Sequence, residues 1–195
     1  MEEIYKITLQ RRTIRRFKQK RIPFVILKKL INSARLAPSA GNLQPLEYIL
    51  VRDKKLCNKI FDCLRWAAYI HPEGIPPSDK RPSNYIVVLV NMHRAKKEFF
   101  AYDVGASVEN ILLVSWSYGI GGCWIESIDR KSLKEILKVP SHIRIDSVIA
   151  LGYRDETPKI ERFKNSVRYW KDKKGVLHVP KRELKDILHF DYYKG

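Results

Sequence analysis

The chain has 195 residues, enough for one domain with a substantial hydrophobic core. Hydrophobic residues make up 45% of it and charged residues 30%, which is the composition of a globular protein rather than a disordered one. The formal net charge of +17 would attract polyanions, but the basic residues are spread along the chain without a nucleic-acid-binding motif, so nucleic acid is not favoured as a partner.

Other classes of protein are disfavoured by what the sequence lacks. No run approaches the roughly 20 uncharged apolar residues of a membrane span, and the acidic start MEEIYKITLQ does not resemble a signal peptide. Cys57, Cys63 and Cys123 are odd in number and lack metal-ligand spacing. We therefore expect a cytoplasmic protein with no metal site and no membrane partner.

Apolar residues at helical spacing predict three helices in the first third of the chain. The first is short and ends near Arg11. The second opens at Pro23, which loses no needed hydrogen bond at a helix start, and stops at Pro38. A short strand over residues 48–51 separates it from a third helix that Asp53 caps.

The most apolar elements lie in the middle of the chain. After a proline-rich loop at residues 71–82, the segment YIVVLVN (85–91) is apolar without alternation, which predicts a strand covered on both faces. A long helix from about residue 98 to 118 is apolar nearly all round, so we expect it at the centre of the molecule. Three glycines are predicted to end it: Gly119, Gly121 and Gly122.

The last third begins with regular elements and ends in a polar tail. CWIE (123–126) reads as a strand, Asp129 can cap a short helix to Leu137, and residues 145–153 form another buried strand. In the tail, RYWKDKKGVLHV predicts a hairpin turning at Lys174 and Gly175. We interpret residues 1–195 as one domain, with residues 153–180 as an inserted loop or hairpin before a C-terminal basic segment.

Strands separated by helices, with long all-apolar elements, predict a three-layer α/β or α+β fold. No residue pattern indicates catalysis by side chains. The serines lack a nucleophile elbow, no paired carboxylates stand out, and GIGGC does not form a GxGxxG after a strand. We name no catalytic residue, and an enzyme of this sequence would depend on a bound cofactor for the difficult step.

Two motifs near the N-terminus are informative together. QRRTIRRF (10–17) sets arginines around a threonine hydroxyl, which is a donor set suited to phosphate. ARLAPSAGNLQP (34–45) places prolines, a glycine and small residues between a helix and a strand, so that its backbone has a fixed shape and can approach another group closely. In this order they resemble the N-terminal signature of the flavin-dependent nitroreductase family.

The resemblance continues along the chain. AYDVGASVENILLVSWSYGIGGCWIESID resembles the family's central helix, Gly-rich turn and following strand, RIDSVIALGY its next core strand, and VPKRELKDIL its closing basic segment. The resemblance implies the nitroreductase fold, which is α+β with three α/β/α layers, a central mixed sheet and a long central helix at the interface of a homodimer.

The resemblance also implies tightly bound FMN in a cleft between subunits and NAD(P)H as co-substrate. By this similarity the following residues hold FMN: Arg11, Arg12, Thr13, Arg15, Pro38, Ser39, Ala40, Asn42, Trp124, Ile125, Glu126, Ser127, Lys181 and Arg182. The first four would hold the phosphate and ribityl chain, and Pro38 to Asn42 would reach the flavin of the partner subunit.

Some of these assignments have alternatives. A backbone N–H at Glu126 or its neighbour is expected to point at flavin N5, whereas Trp124 has a second possible role in filling the core. Asp103 falls near the flavin edge in the resemblance, or serves as a cap or ion-pair partner. The phosphate contacts are assigned to Lys181 and Arg182, with Lys159 of PKIER as the fallback.

The implied activity is an oxidoreductase in which hydride passes from NAD(P)H through flavin N5 to a small-molecule electron acceptor, such as a nitroaromatic or a quinone. One alternative is a family member with specialised flavin chemistry, dehalogenation or flavin fragmentation. The other is a basic nucleic-acid-binding protein, which predicts a colourless preparation and steeply salt-dependent retention on DNA or RNA.

Overall fold

The computed structural model describes residues 2–193, so the two ends of the predicted 1–195 domain lie outside the described residues. The helices are α1 (Glu2–Gln10), α2 (Phe24–Arg35), α3 (Lys54–Asp62), α4 (Phe100–Ser117) and α5 (Arg130–Leu137). The strands are β1 (Phe17–Lys18), β2 (Leu46–Val51), β3 (Asn84–Asn91), β4 (Ile120–Ile125), β5 (Ile143–Arg154), β6 (Lys159–Arg162), β7 (Trp170–Lys171) and β8 (Leu177–Lys181).

Several local signals act where the sequence predicts. Pro23 precedes the first residue of α2, and Asp53 caps α3 by accepting the N–H of Leu56 at 2.8 Å. Asp129 caps α5 in the same way, through the N–H of Ser132 at 3.1 Å. These caps satisfy backbone donors that a helix start leaves free.

The main sheet has the strand order β1-β5-β3-β2, and β4 also pairs with β5. Its named strand pairs are antiparallel. Thr13 and Gly122 form an isolated parallel bridge. In a second sheet, β6 and β8 pair in parallel. The predicted α+β class is confirmed.

Alternate side chains of β3 belong to two separate hydrophobic clusters, one on each face of the sheet. Tyr85, Val87 and Leu89 pack with residues of α3 and α5 on one face of the sheet. The intervening side chains, from Ile86 to Val90, pack with α2 and α4 on the other. The sheet is thus covered by helices on both faces, in three layers, and a strand covered on both faces has no need of alternating polarity.

The long helix differs in two respects from its prediction. One of its faces is not covered by the rest of the chain: Tyr102 is 74% exposed, and Gly105, Ala106 and Glu109 on the same face are only half-buried. Of the three glycines only Gly119, with φ of 72°, ends the helix. Gly121 and Gly122 lie inside β4 instead.

Those two glycines let other parts of the chain lie directly on β4. A Cβ at Gly121 would stand 2.6 Å from the Cβ of Ile14, and one at Gly122 would stand 2.5 Å from a methyl group of Leu112. Such distances are well inside van der Waals contact. The close approach brings the segment after α1 against the sheet, and this segment carries the predicted phosphate-binding arginines.

Residues beyond β5 form a small sheet of their own, which we call the small sheet, in the order β6-β8-β7. The predicted hairpin is β7 and β8, with its turn at Gly175 (φ 75°). Strand β6 was not predicted, and it pairs with β8 in parallel. Within residues 2–193, no helix has the length and apolarity needed to cross a bilayer.

Candidate functional site

Residues 11–15 form an extended segment that runs beside β4. Thr13 bridges to Gly122, and the N–H of Ile14 donates to the Gly122 carbonyl at 3.1 Å. Ile14 is fully buried, which fixes the segment in the core while its neighbours remain half-buried. The segment separates two cavities.

The first cavity, here named the Arg15 cavity, has a volume of about 550 Å³. Its walls are Arg15, residues 64–68, His71, Ile75 and residues 123–127 at the end of β4. This volume lies within the range of small-molecule sites in proteins. The structure therefore brings five of the predicted residues together: Arg15, Trp124, Ile125, Glu126 and Ser127.

Two nitrogen donors at the Arg15 cavity are buried and unpaired. Among residues 2–193, neither Nε of Arg15 nor Nε1 of Trp66 has a hydrogen-bond partner. Buried donors are nearly always satisfied, so two unpaired ones among the wall residues of one cavity make it a candidate ligand site. Sequence reasoning missed Trp66, because a lone aromatic before a proline-rich loop follows no periodic pattern.

The thiol of Cys123 lies in the wall of the Arg15 cavity. Burial raises the pKa of this thiol, an effect that the nearby Arg15 opposes. The side chain of Glu126 is directed to Arg130, with the two charged groups 2.6 Å apart. The Trp124 indole N–H donates to the Ser147 hydroxyl at 2.7 Å, and its ring is 43% exposed. Trp124 therefore does not fill the core.

The second cavity, here named the Arg12 cavity, has a volume of about 910 Å³. Leu9, Gln10, Arg12, Trp116 and residues 154–160 line it, and Lys159 is among them. Burial lowers the pKa of the Arg12 guanidinium, with a smaller contribution from Arg11, and burial also lowers the pKa of Arg154. A bound anion would offset the partial desolvation of these cations.

Other predicted residues lie outside both cavities. Arg11 is engaged with Glu109, at 3.1 Å between Nε and the carboxylate. Lys181 lies opposite Arg162 in the small sheet, and the Arg182 guanidinium donates to the Asp186 carbonyl. The fallback residue Lys159 thus lines the same cavity as Arg12, whereas Lys181 and Arg182 do not line it.

The loop Pro38–Asn42 also lines neither cavity. Asp103 on α4 anchors it by accepting the N–H of Ala40 at 2.9 Å, and the Ser39 hydroxyl accepts the N–H of Gln44 at 3.0 Å. Gly41 and Asn42 both have positive φ, which turns the backbone sharply. Asp103 acts here as a loop anchor, a role that was not predicted from the sequence.

Comparison with known proteins gives consistent results. A model of the "Nitroreductase family" matches residues 8–74 and 79–153. A relative from Archaeoglobus fulgidus, described as an NADH dehydrogenase/NAD(P)H nitroreductase, is 35% identical over 163 residues, 80% of this chain and 88% of that protein.

Two solved structures share the fold. A nitroreductase family protein from Clostridium novyi NT superposes with a TM-score of 0.67 at 28% identity, over 78% of this chain and 86% of that chain. An FMN-dependent nitroreductase from Clostridium difficile R20291 superposes with a TM-score of 0.70 at 24% identity, over 99% of this chain and 100% of that chain. The family match ends at residue 153, so the small sheet lies beyond it.

Proposed function

The chain belongs to the nitroreductase family, and we propose that it binds FMN tightly and transfers hydride from NAD(P)H to a small-molecule electron acceptor. Nitroaromatics and quinones are the acceptor classes we propose. The observation that carries the proposal is the pair of buried, unpaired donors, Arg15 Nε and Trp66 Nε1, at a cavity walled by the end of β4.

The residues at the two cavities fit the chemistry of FMN. The Arg15 cavity combines an aromatic and apolar wall with the two unpaired donors, which suits a flat ring bearing carbonyl and nitrogen acceptors. Arg12, Arg154 and Lys159 line the Arg12 cavity and would supply positive charge to a phosphate. Cationic donors of this kind are shared by many phosphate sites, so the ring cavity is the more specific of the two.

The protein's own part would be to bind and orient. Arg15 and Trp66 would donate hydrogen bonds to the ring system, and the backbone at Glu126 or its neighbour would donate to it from the end of β4. FMN, when bound, supplies the redox chemistry by accepting and returning hydride. Because the cofactor supplies this chemistry, we assign no side chain as an acid or base.

We propose that the protein works as a homodimer and that the loop Pro38–Asn42 completes the site of the partner subunit. Two observations support this. The loop is anchored by Asp103 yet lines neither of the two cavities of its own chain. The face of α4 around Gly105 is incompletely covered within one chain, as an interface helix would be.

We further propose a single domain into which residues 153–180 are inserted. Among residues 155–193 only Leu177 and His178 are buried, which is too little for an independent core. A cytoplasmic location is proposed because Cys57, Cys63 and Cys123 are all free, as a reducing compartment allows.

The visible absorption spectrum of the purified protein tests the proposal. We expect a flavin spectrum, with about one FMN per chain after reconstitution, and bleaching when NADH or NADPH is added without oxygen. A colourless protein that does not bind FMN at micromolar concentration would exclude the proposed function. If such a protein instead bound DNA with a steep salt dependence, the nucleic-acid-binding alternative would replace it.

A further inference from the structure

The guanidinium of Arg15 is placed by a residue outside the matched part of the family. This residue is Tyr169, which directly precedes β7 in the sequence. The Cζ atom of Arg15 lies 5.1 Å from the centre of its ring. An arginine stacked on an aromatic ring is held in orientation by the ring face, while its in-plane N–H groups remain available for hydrogen bonds. Arg15 Nε is such a group, since it is buried and unpaired among the described residues.

Tyr169 is itself held against the wall of the Arg15 cavity. Its ring packs on that of Tyr69, with the ring centres 5.0 Å apart and the planes at 53°. Tyr69 belongs to the short 3-10 turn Ala68–Ile70, which directly continues the cavity wall formed by residues 64–68. The Arg168 guanidinium lies 5.5 Å from the centre of the Tyr69 ring. These aromatic and cation–π contacts thus join the small sheet to two walls of the cavity.

Polar contacts fix the same junction. The carboxylate of Glu156 accepts the backbone N–H groups of both Arg15 and Arg16. Lys171 in β7 and Arg16 both donate to the Glu73 carbonyl, each at 3.1 Å. Burial, with the charge of Arg16 second, lowers the pKa of the Lys171 ammonium, as expected for a cation drawn into a packed junction. These contacts hold the small sheet in one position relative to Arg15.

We propose that Tyr169 is a positioning residue for FMN that acts through Arg15, so that the small sheet sets the affinity of the Arg15 cavity for its cofactor. The inference rests on the proposed function. Tyr169 would not touch FMN itself. Its ring would hold the guanidinium in the orientation that offers Nε to an acceptor of the cofactor.

A double-mutant cycle tests the inference, with the Kd for FMN measured by quenching of flavin fluorescence. In the wild-type background, Tyr169→Ala should weaken FMN binding by about 3- to 30-fold, the range of a partly desolvated cation–π contact. Tyr169→Phe keeps the ring and should restore affinity to within about twofold of wild type. In the Arg15→Ala background, Tyr169→Ala should have no further effect, because two residues that act through one contact are not additive.

Two further variants are controls for a loss of FMN affinity that does not come from the contact with Arg15. Tyr169→Leu preserves bulk without a π face and should behave like Tyr169→Ala, which keeps the test available if the alanine variant folds poorly. Tyr192→Ala removes a tyrosine that is 81% exposed and should leave the Kd unchanged.

Three results would count against the inference. An unchanged Kd for Tyr169→Ala, equal losses in both Arg15 backgrounds, or an effect of Tyr169→Phe as large as that of alanine would each refute it while the wild type binds FMN normally. A wild-type protein that binds no FMN would remove the proposed function and this inference together.

Discussion

Arg12 and Arg15 lie on one extended segment, yet they line two different cavities. Ile14 between them is drawn completely into the core, and the Gly122 carbonyl accepts its N–H. The segment is thus fixed at Ile14, and Arg12 and Arg15 on either side of it line separate cavities. At the scale of single residues, this fixed position of Ile14 would allow one short motif to serve two parts of the proposed cofactor.

The position of the phosphate can be tested at Lys159. Lys159→Ala should weaken FMN by about 1 kcal/mol, roughly fivefold, because it loses a charge-assisted contact at an exposed position. Riboflavin, which lacks the phosphate, should be bound with unchanged affinity. Competition titrations of both ligands measure the difference.

The double variant Lys181→Ala with Arg182→Ala is the matched control. Since neither residue lines the Arg12 cavity, it should leave FMN affinity nearly unchanged. A larger FMN-selective loss in this control than in Lys159→Ala would restore the assignment made from sequence.

A second residue-scale prediction concerns Asp103. This side chain is 6% exposed and holds the Ala40 N–H. Asp103→Ala should lower the free energy of unfolding by about 1–3 kcal/mol, because a partly buried donor is left unpaired. Asp103→Asn keeps a carbonyl acceptor and should recover most of the loss in urea denaturation. An asparagine variant as unstable as the alanine variant would mean that this hydrogen bond is not the source of the effect.

Among the elements, the small sheet is organised around one buried histidine. His178 on β8 contacts Glu161 on β6 at 2.6 Å and Asp172 in the turn after β7 at 3.2 Å, and it stacks on Trp170 with ring centres 4.1 Å apart. The hydrogen bond to Glu161, followed by that to Asp172, raises the pKa of His178 despite the opposing effect of burial. The imidazole thus links all three strands, and its protonation strengthens the contacts with both carboxylates.

This link predicts a pH dependence of the small sheet. A raised histidine pKa stabilises the folded state fully below the unfolded value of about 6.5, and this stabilisation is lost as pH rises through the raised value. The pKa of Asp172 is lowered, chiefly by the Val176 N–H, so its contribution is lost instead as pH falls below the ordinary range of a carboxyl. The small sheet should therefore be most stable in mildly acidic solution.

Limited proteolysis of the turn between β7 and β8 at pH 6 and pH 8 can measure this, with an exposed reference peptide correcting for protease activity. Cleavage of the wild type should be faster at pH 8, and His178→Gln should remove most of the difference. Identical pH dependence in both proteins would show that another group controls the opening of the sheet.

The elements differ in how far sequence could predict them. Helices α2 and α3 and strand β3 follow from apolar periodicity and capping residues, which are local signals. Strand β6 has the sequence KIER and no alternation, and its pairing depends on residues 178–181. Two features of the site likewise depend on residues far apart in the sequence: the cavity wall at Trp66 and the contact of Tyr169 with Arg15. Local sequence patterns therefore do not predict them.

On the scale of the whole molecule, the covered and uncovered faces of α4 determine how two copies would meet. One face packs in the core through Val104, Val108 and Ile111, while a Cβ at Gly105 would meet no atom within 4 Å. A second copy could approach closely at this glycine, because no side chain projects from it. The proposed homodimer would use this face.

Substitutions at Gly105 can distinguish an effect on the folding of one chain from an effect on dimer assembly. Gly105→Ala should stabilise the helix by about 0.5–1 kcal/mol and leave the dimer intact. Gly105→Leu has room within one chain but not in a close interface, so sedimentation velocity should show it shifted toward monomer with unchanged secondary structure. A leucine variant as dimeric as wild type would place the interface elsewhere, and a monomeric wild type would refute the homodimer.

The pairing of the first strand with the last strand of the main sheet has a consequence for synthesis on the ribosome. Glu156 holds the backbone of Arg15 across a separation of 141 positions, and β1 pairs with the end of β5. The arginine motif is therefore made first but gains these partners only after about four fifths of the chain has been translated. Cofactor capture must wait for that closure, so a nascent chain stalled before β5 emerges should carry the complete arginine motif and still fail to retain flavin.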